Sequence, residues 1–222
     1  MSIAKNLTEI KSQLPAHVTL VAVSKTKPVS DLMEAYNAGQ RIFGENKIQE
    51  MTEKWEQMPK DIEWHMIGHV QTNKVKFMAE YVSLIHGVDS LKLLQEINKQ
   101  AKKHNRVIDC LLQIHIAEEE TKFGLNEEEL NHILTSDDFK SLENIRIVGL
   151  MGMATFTENQ NQIEKEFNHL KSIFDKLNKL SIINYQLSIL SIGMSGDYQL
   201  AISCGSTMVR IGSSIFGTRN YQ

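Results

Sequence analysis

A lysine at the end of an apolar segment is the residue in this chain whose type and position best suit covalent chemistry. Lys25 follows the apolar residues 20–23 and Ser24, and Pro28 stands three residues later. The apolar run predicts a buried strand, and the proline predicts its end. Partial burial disfavours the ammonium form of a lysine, so the neutral amine can attack an aldehyde. On the strand alone, a surface lysine without a chemical role remains an open alternative.

Two glycine- and serine-rich segments near the end of the chain could hold a phosphate group. Residues 191–197 (SIGMSGD) follow one predicted strand, and residues 212–214 (GSS) follow the next. Their glycines allow close approach of the backbone, and each helical N-terminus that follows would favour an anion by about 0.3–1 kcal/mol. Either segment alone is also typical of an ordinary turn. Arg210, two residues before Gly212, adds a cation.

The elements that must position these residues alternate regularly between strand-like and helix-like segments. Predicted strands cover residues 19–24, 41–43, 63–67, 82–86, 107–116, 146–151, 186–190 and 208–211. Eight such strands favour an α/β fold with one closed (β/α)8 TIM barrel, formed as a single domain over residues 1–222. Active sites of such barrels lie at the C-terminal ends of the strands. Closure of the barrel would bring Arg210 on strand eight near Lys25 on strand one.

Helical periodicity and capping patterns define the segments between the strands. Residues 1–14 predict an extra N-terminal amphipathic helix rather than a signal peptide. Asn126 with Glu129, and Thr157 with Gln160, have the pattern of capping boxes at the starts of two later helices.

Composition excludes several classes of protein. A hydrophobic content of 41% and a net charge of -3 are ordinary for a soluble protein and give no sign of nucleic-acid or membrane binding. Cys110 and Cys204 have neither metal nor redox spacing, so we expect a cytoplasmic protein without disulfides. His65 and His69 lie on a predicted strand and its loop, where their spacing does not suit a shared metal ion. The expected ligand is therefore a small molecule, and no metal site is predicted.

Pyridoxal 5′-phosphate is the cofactor that combines the three predicted features. Its aldehyde forms a Schiff base with a lysine, its phosphate suits the two small-residue segments, and its ring nitrogen N1 needs a partner. An arginine at N1 can only donate a hydrogen bond, which leaves the pyridine unprotonated. Such a ring is a weaker electron sink than one that faces an aspartate.

The chain resembles the pyridoxal phosphate homeostasis proteins of the YggS/PROSC type, which themselves resemble the N-terminal barrel of alanine racemase. The resemblance extends from end to end and rests on residues 21–25, 43–46, 64–74, 119–124, 193–197 and 205–217. It implies a fold-type III barrel in which Lys25 carries the Schiff base and Arg210 meets N1. It further implies phosphate contacts from Met194, Ser195, Gly212 and Ser213, with Asn46 and His65 beside the ring.

Two positions depart from the pattern of that family. His115 stands where an asparagine is usual in the fifth strand, and Ile192 replaces a common methionine. The histidine would change the polarity of the barrel mouth. The isoleucine conserves volume and should have little effect.

The resemblance implies a cytoplasmic protein that stores, buffers or delivers pyridoxal phosphate without strong catalytic activity. Racemisation needs an acid and a base on opposite faces of the substrate, and in the similar racemases the second group is a tyrosine from a separate C-terminal domain. We expect this chain, which ends at Gln222, to lack that domain. Pyridoxal-phosphate-dependent apo-enzymes are possible partners, and a monomer is expected.

Two other functions stay open at this point. One is a weak pyridoxal-phosphate-dependent amino-acid racemase or lyase. The other is a Schiff-base aldolase that binds a sugar phosphate through the same lysine and phosphate segments.

Overall fold

Eight parallel strands form a closed barrel in the computed structural model, which describes residues 2–119, 123–180 and 186–217. The strands are β1 (Thr19–Val23), β2 (Ile42–Glu45), β3 (Glu63–Met66), β4 (Leu84–Val88), β5 (Ile108–Gln113), β6 (Ile145–Met151), β7 (Ile189–Met194) and β8 (Met208–Ile211). β1 closes the barrel against β8 in a register that pairs Val21 with Arg210. The predicted fold class is therefore confirmed. Within the described ranges, no helix is long and apolar enough to cross a membrane.

Helices follow the strands and form the outer layer. They are α1 (Ile3–Gln13), α2 (Val29–Asn37), α3 (Ile48–Gln57), α4 (Leu91–Lys103), α5 (Glu127–Thr135), α6 (Asp137–Lys140), α7 (Gln160–Leu180), α8 (Tyr198–Ser203) and α9 (Ser213–Phe216). A 3₁₀ helix, Thr72–Phe77, connects β3 to β4.

Alternation along the strands separates the barrel interior from the layer beneath the helices. On β1, Val21 packs inside the barrel, whereas Leu20 and Ala22 join the core under the helices. The interior layer consists of Val21, Leu84, Leu111, Met151 and Met208. The same alternation continues past the end of β1, so that Ser24 faces the helices and Lys25 faces the mouth of the barrel.

The N-terminal helix is confirmed and completes the outer layer. The side chain of Ser2 caps α1, which buries Leu7 and Ile10. α1 packs against α2 and α9, and the Asn6 amide donates to the backbone oxygen of Ile215 at 3.0 Å. Because α9 is only one turn long, α1 covers the side of the barrel that the last helix leaves open.

The predicted C-terminal ends of two strands were wrong by three or more residues. β7 runs on to Met194 instead of stopping at Leu190, because the segment that suggested a turn contains two fully buried residues, Ser191 and Ile192, whose backbone continues the barrel. β5 ends at Gln113, so His115 lies beyond the strand instead of within it. His115 is half-buried, and its backbone N–H donates to the Leu125 oxygen.

One of the two predicted capping boxes was also wrong. Asn126 and Glu129 form a complete box at the start of α5, as predicted. α7, however, begins after Asn159, whose side chain accepts from the N–H of Gln162 at 3.3 Å. Thr157 instead accepts from the N–H of Asn159, one residue before the Gln160 N–H that the sequence pattern suggested.

Candidate cofactor-binding site

A cavity of about 470 Å³ opens at the C-terminal end of the barrel. Seven of the eight predicted site residues line it: Lys25, Asn46, Met194, Ser195, Arg210, Gly212 and Ser213. Its volume lies in the range of small-molecule sites in proteins, roughly 300–1,000 Å³. The structure thus brings together residues that lie up to 188 positions apart in the chain (213 minus 25).

Lys25 lies in a tight turn immediately after β1. The turn is closed by the N–H of Lys27, which donates to the backbone oxygen of Ser24 at 3.1 Å. Thr26 has a φ of 66°, a left-handed conformation that is unfavourable for a β-branched residue. A residue held there costs roughly 1–3 kcal/mol and persists only where its surroundings enforce it. The half-buried Lys25 side chain lines the cavity beside Val23.

Arg210 forms part of the floor of the cavity and is only 4% exposed. Its Nη1 donates to the backbone oxygen and the hydroxyl of Ser191 at 2.7 and 2.6 Å, and its Nη2 donates to the Gly152 oxygen at 3.1 Å. Burial lowers the pKa of Arg210 to about 10, so the guanidinium remains charged at neutral pH. These contacts fix a permanent donor at the base of the site.

A chain of hydrogen bonds continues from Arg210 across the barrel interior. The Ser191 hydroxyl lies 3.0 Å from Nδ1 of His86, and Nε2 of His86 lies 3.0 Å from Nδ1 of His65. Desolvation lowers the pKa of His65 to about 3 and that of His86 well below its usual value, so both rings are neutral at neutral pH. We call Arg210, Ser191, His86 and His65 the inner network.

The direction of the protons in the inner network follows from Arg210. Because the guanidinium donates to the Ser191 hydroxyl, that hydroxyl can donate its own proton to Nδ1 of His86. His86 then carries its proton on Nε2 and donates to His65. His65 is 3% exposed and lies beneath the cavity without lining it. Sequence reasoning missed Ser191 and His86, which support the predicted Arg210.

The loops after β7 and β8 meet at the other side of the cavity. The Ser195 hydroxyl accepts from the N–H of Gly212 at 3.2 Å, which ties the two loops together. A Cβ atom at position 212 would lie 3.0 Å from the Val23 oxygen, so a side chain there would crowd the backbone of β1. The N–H of Met194 donates to Asp197 at 2.5 Å. Hydroxyl and backbone groups of this kind suit a phosphate.

Apolar and aromatic groups surround the opening of the cavity. The ring of His69 stacks on Phe123 with 4.1 Å between centroids, and its Nδ1 lies 3.4 Å from a carboxylate oxygen of Asp89. Phe156 also lines the opening and is 94% exposed. Asn46 packs directly on Gly68, where an added Cβ would lie 2.5 Å from the Asn46 oxygen.

These residues fit pyridoxal phosphate. Lys25 would supply an amine, Arg210 would supply a buried donor for a ring nitrogen, and Ser195 with the Gly212–Ser213 turn would supply small polar groups close to the backbone. When bound, this cofactor supplies an aldehyde carbon that is open to attack by an amine. The chain's own contribution would be to orient Lys25 and to keep a proton on Arg210 at the ring nitrogen.

Comparison with known proteins decides the family. The model of the alanine racemase N-terminal domain matches residues 1–220. The chain belongs to this family. It is 40% identical over 207 residues to the pyridoxal phosphate homeostasis protein of Haemophilus influenzae, covering 92% of this chain and 86% of that one. The protein of the same name from Escherichia coli K12 is 34% identical, with 99% and 97% covered.

Solved structures show the same relationship. PipY of Synechococcus elongatus with pyridoxal phosphate bound superposes with a TM-score of 0.89 at 33% identity, covering 97% of this chain and all of that one. Alanine racemase of Clostridium difficile superposes with a TM-score of 0.79 at 18% identity, covering all of this chain and 60% of that one. The second likeness shows the fold alone.

Other charged groups considered from the sequence lie outside this arrangement. Lys27 donates from Nζ to the Phe216 oxygen at 2.8 Å. Lys122, another predicted cation near the mouth, falls outside the described residues. A second cavity, of about 370 Å³, lies at the opposite end of the barrel, where Lys11 already donates to the Gly39 oxygen and Arg41 pairs with Asp61.

Proposed function

We propose that this chain binds pyridoxal 5′-phosphate through Lys25 and serves in the intracellular storage, buffering or delivery of that cofactor. The observation that carries the proposal is the convergence of Lys25, Arg210 and the Ser195–Gly212 loops on one cavity. The names of the relatives and the cofactor bound to PipY support the same assignment. The proposal places the protein in the cytoplasm as a single-domain monomer, with pyridoxal-phosphate-dependent apo-enzymes as recipients.

Each predicted contact keeps its role in this proposal. Arg210 would hold N1, and Met194, Ser195, Gly212 and Ser213 would hold the phosphate. Asn46 would lie beside the ring. His65 would act from beneath the site, because it reaches Arg210 only through His86 and Ser191.

Amino-acid racemisation or elimination is the less favoured function. It would need a second acid–base group across the cavity from Lys25. The described tyrosines are engaged elsewhere: Tyr36 bonds Asp61, Tyr81 stacks on Trp55, and Tyr198 bonds Gln13. Tyr185 and Tyr221 fall outside the described residues. An assay for exchange of the substrate α-proton across the common amino acids would separate the two functions, and exchange would favour the enzyme.

The visible absorption spectrum of the purified protein beside its Lys25→Ala variant tests the proposal. We expect the band of lysine-bound pyridoxal phosphate in the wild type and its loss in the variant, with an unchanged far-ultraviolet circular dichroism spectrum. A full band in the variant would overturn the role of Lys25. No band in the wild type after addition of the cofactor, together with borohydride trapping of a sugar phosphate, would favour the aldolase instead.

A further inference from the structure

Three buried side chains and one half-buried side chain form a polar cluster on the outer side of the barrel, directly behind Lys25. They are Ser24 after β1, Glu45 at the end of β2, and Glu50 and Lys54 on α3, and we call them the outer ionic cluster. Ser24 and Glu45 are fully buried, and Lys54 is 5% exposed. The cluster does not line the cavity, and nothing in the cofactor contacts proposed above requires it.

Lys54 connects the members of the cluster. Its Nζ donates to the Ser24 backbone oxygen at 2.8 Å and to carboxylate oxygens of Glu45 and Glu50 at 2.7 Å each. The Ser24 hydroxyl donates to the same oxygen of Glu45 at 2.6 Å. One ammonium group therefore joins β1, β2 and α3 at a single point.

The cluster holds the backbone on both sides of Lys25. Before it, Ser24 is fixed by its N–H to Gly44, its hydroxyl to Glu45 and its carbonyl to Lys54. After it, the N–H of Thr26 donates to Glu50 at 2.6 Å. Thr26 is the residue in the left-handed conformation. In that conformation its N–H points towards α3, where the Glu50 carboxylate accepts the hydrogen bond.

Stability alone gives a poor account of these charges. Removing an ion pair from water offsets most of its attraction, and an apolar replacement is often equally stable. Here the second oxygen of Glu45 is buried without a hydrogen-bond partner in the described part of the chain, and burial raises the pKa of Glu45 to about 7. The backbone geometry that Glu45 helps to hold around Lys25 therefore accounts for its burial better than stability does.

We infer that Glu45, Glu50 and Lys54 are positioning residues that fix the turn around Lys25 and so aim its amine into the cavity. The inference rests on the proposed role of Lys25 and adds the residues that make this lysine competent to capture the cofactor aldehyde. The neutral amine forms a carbon–nitrogen double bond and gives its two protons to the aldehyde oxygen, which leaves as water, so no further reactant is needed. Orientation of this kind affects rate strongly, because small misplacements of a reacting group are costly.

The rate at which the apo-protein captures pyridoxal phosphate, and separately pyridoxal, tests the inference. Pyridoxal lacks the phosphate, so its capture reports on Lys25 without the phosphate loops. We expect Glu50→Ala to slow capture of both by about tenfold. Glu50→Gln keeps an oxygen for the Thr26 N–H and should recover most of the rate. Glu53→Ala, an exposed position on the same helix, is the matched control and should capture at the wild-type rate.

Ser24→Ala provides a second test that does not depend on the folding of the Glu50 variant. This substitution removes the hydrogen bond from the Ser24 hydroxyl to Glu45 and leaves the backbone hydrogen bonds of residue 24 in place. Ser206→Ala, at another fully buried serine, is the control. We expect Ser24→Ala to capture pyridoxal phosphate more slowly than Ser206→Ala when the two variants have similar midpoints of thermal unfolding.

The outcomes separate the inference from the function on which it rests. If the wild type captures no pyridoxal phosphate, the proposed function is wrong. If the wild type captures it and both Glu50→Ala and Ser24→Ala match their controls, the outer ionic cluster does not position Lys25. Slowing with pyridoxal phosphate but not with pyridoxal would also contradict the inference, because it would place the defect at the phosphate.

Discussion

The barrel carries two buried polar groups on opposite sides of its wall, and they are built differently. The inner network connects a single cation, Arg210, to a serine and two neutral histidines inside the barrel. The outer ionic cluster joins one ammonium to two carboxylates between the barrel and α3. Inside, burial drives histidines to the neutral form; outside, an opposite charge accompanies each buried ion.

The difference shows how one scaffold can hold two groups with unlike requirements. Arg210 must keep its charge and direction, and neutral hydrogen-bonding partners achieve this without adding a competing anion. Lys25 lies in a turn with an unfavourable backbone conformation, and charged partners hold that turn through strong hydrogen bonds to its main chain. Four substitutions in these two groups test this contrast.

Arg210→Ala should break the inner network at the cofactor. Loss of a charged donor at the ring would weaken retention of pyridoxal phosphate by roughly 10–100-fold, as expected for a hydrogen bond to a charged group. Equilibrium dialysis against the cofactor measures the change. Retention equal to that of the wild type would remove Arg210 from the site. Some loss of stability is also expected, because three hydrogen bonds of a buried residue disappear.

His65→Asn tests whether the buried His65 makes the free energy of unfolding depend on pH. The folded-state pKa of His65 is depressed from 6.5 to about 3, so the folded protein binds fewer protons than the unfolded chain between these values. Its contribution to stability is present above pH 6.5 and is lost as the pH falls towards 3, by about 2–4 kcal/mol. Asparagine keeps an acceptor for His86 but does not titrate. Urea unfolding across this window should show a shallower acid loss in the variant, and parallel curves would contradict the prediction.

Glu45→Gln should show a pH dependence of opposite sign. Burial raises the pKa of Glu45 from 4.5 to about 7, so the folded protein binds more protons than the unfolded chain between these values. The contribution of Glu45 is fully present below pH 4.5 and is lost as the pH rises through 7, by roughly 1–3 kcal/mol. In the same urea experiment the wild type should lose stability relative to the variant over this rise. A constant difference between them would mean that burial does not raise the pKa of Glu45.

Ser191→Ala removes the hydroxyl that connects Arg210 to His86. Of the four substitutions, it should have the smallest effect on the retention of pyridoxal phosphate. Loss of the hydroxyl leaves a buried partner unsatisfied, which costs about 1–3 kcal/mol of stability. Ser206→Ala removes three buried contacts to backbone oxygens and serves as the control of similar cost. Only the Ser191 variant should also weaken retention of pyridoxal phosphate, by a few-fold. Equal retention in both variants would show that Arg210 keeps its direction without Ser191.

Most of the site could be predicted from the sequence, because its residues lie directly after strands. Lys25 and the segments around Ser195 and Gly212 follow apolar runs, and a barrel brings all such positions to one end. The supporting residues gave no such signal. His86 and Ser191 are 105 positions apart and lie inside strands, where a polar residue is not distinguished by spacing. The predicted end of β7 was wrong for a related reason. Ser191 and Gly193 are residue types that are typical of turns, and only the structure shows that both lie in the strand and that Ser191 binds Arg210.

Periodicity and local turn chemistry are short-range properties of the chain. They were therefore enough to predict the alternation of strands and helices, the barrel, and the lysine, arginine and small-residue loops at its mouth. Only the tertiary structure decided which buried polar groups meet. The pairing of β1 with β8 places Arg210 within reach of the same cavity as Lys25, and the packing of α3 on β1 and β2 places Lys54 behind the turn. Such contacts depend on register and on side-chain direction across the barrel, which no local pattern in the chain encodes.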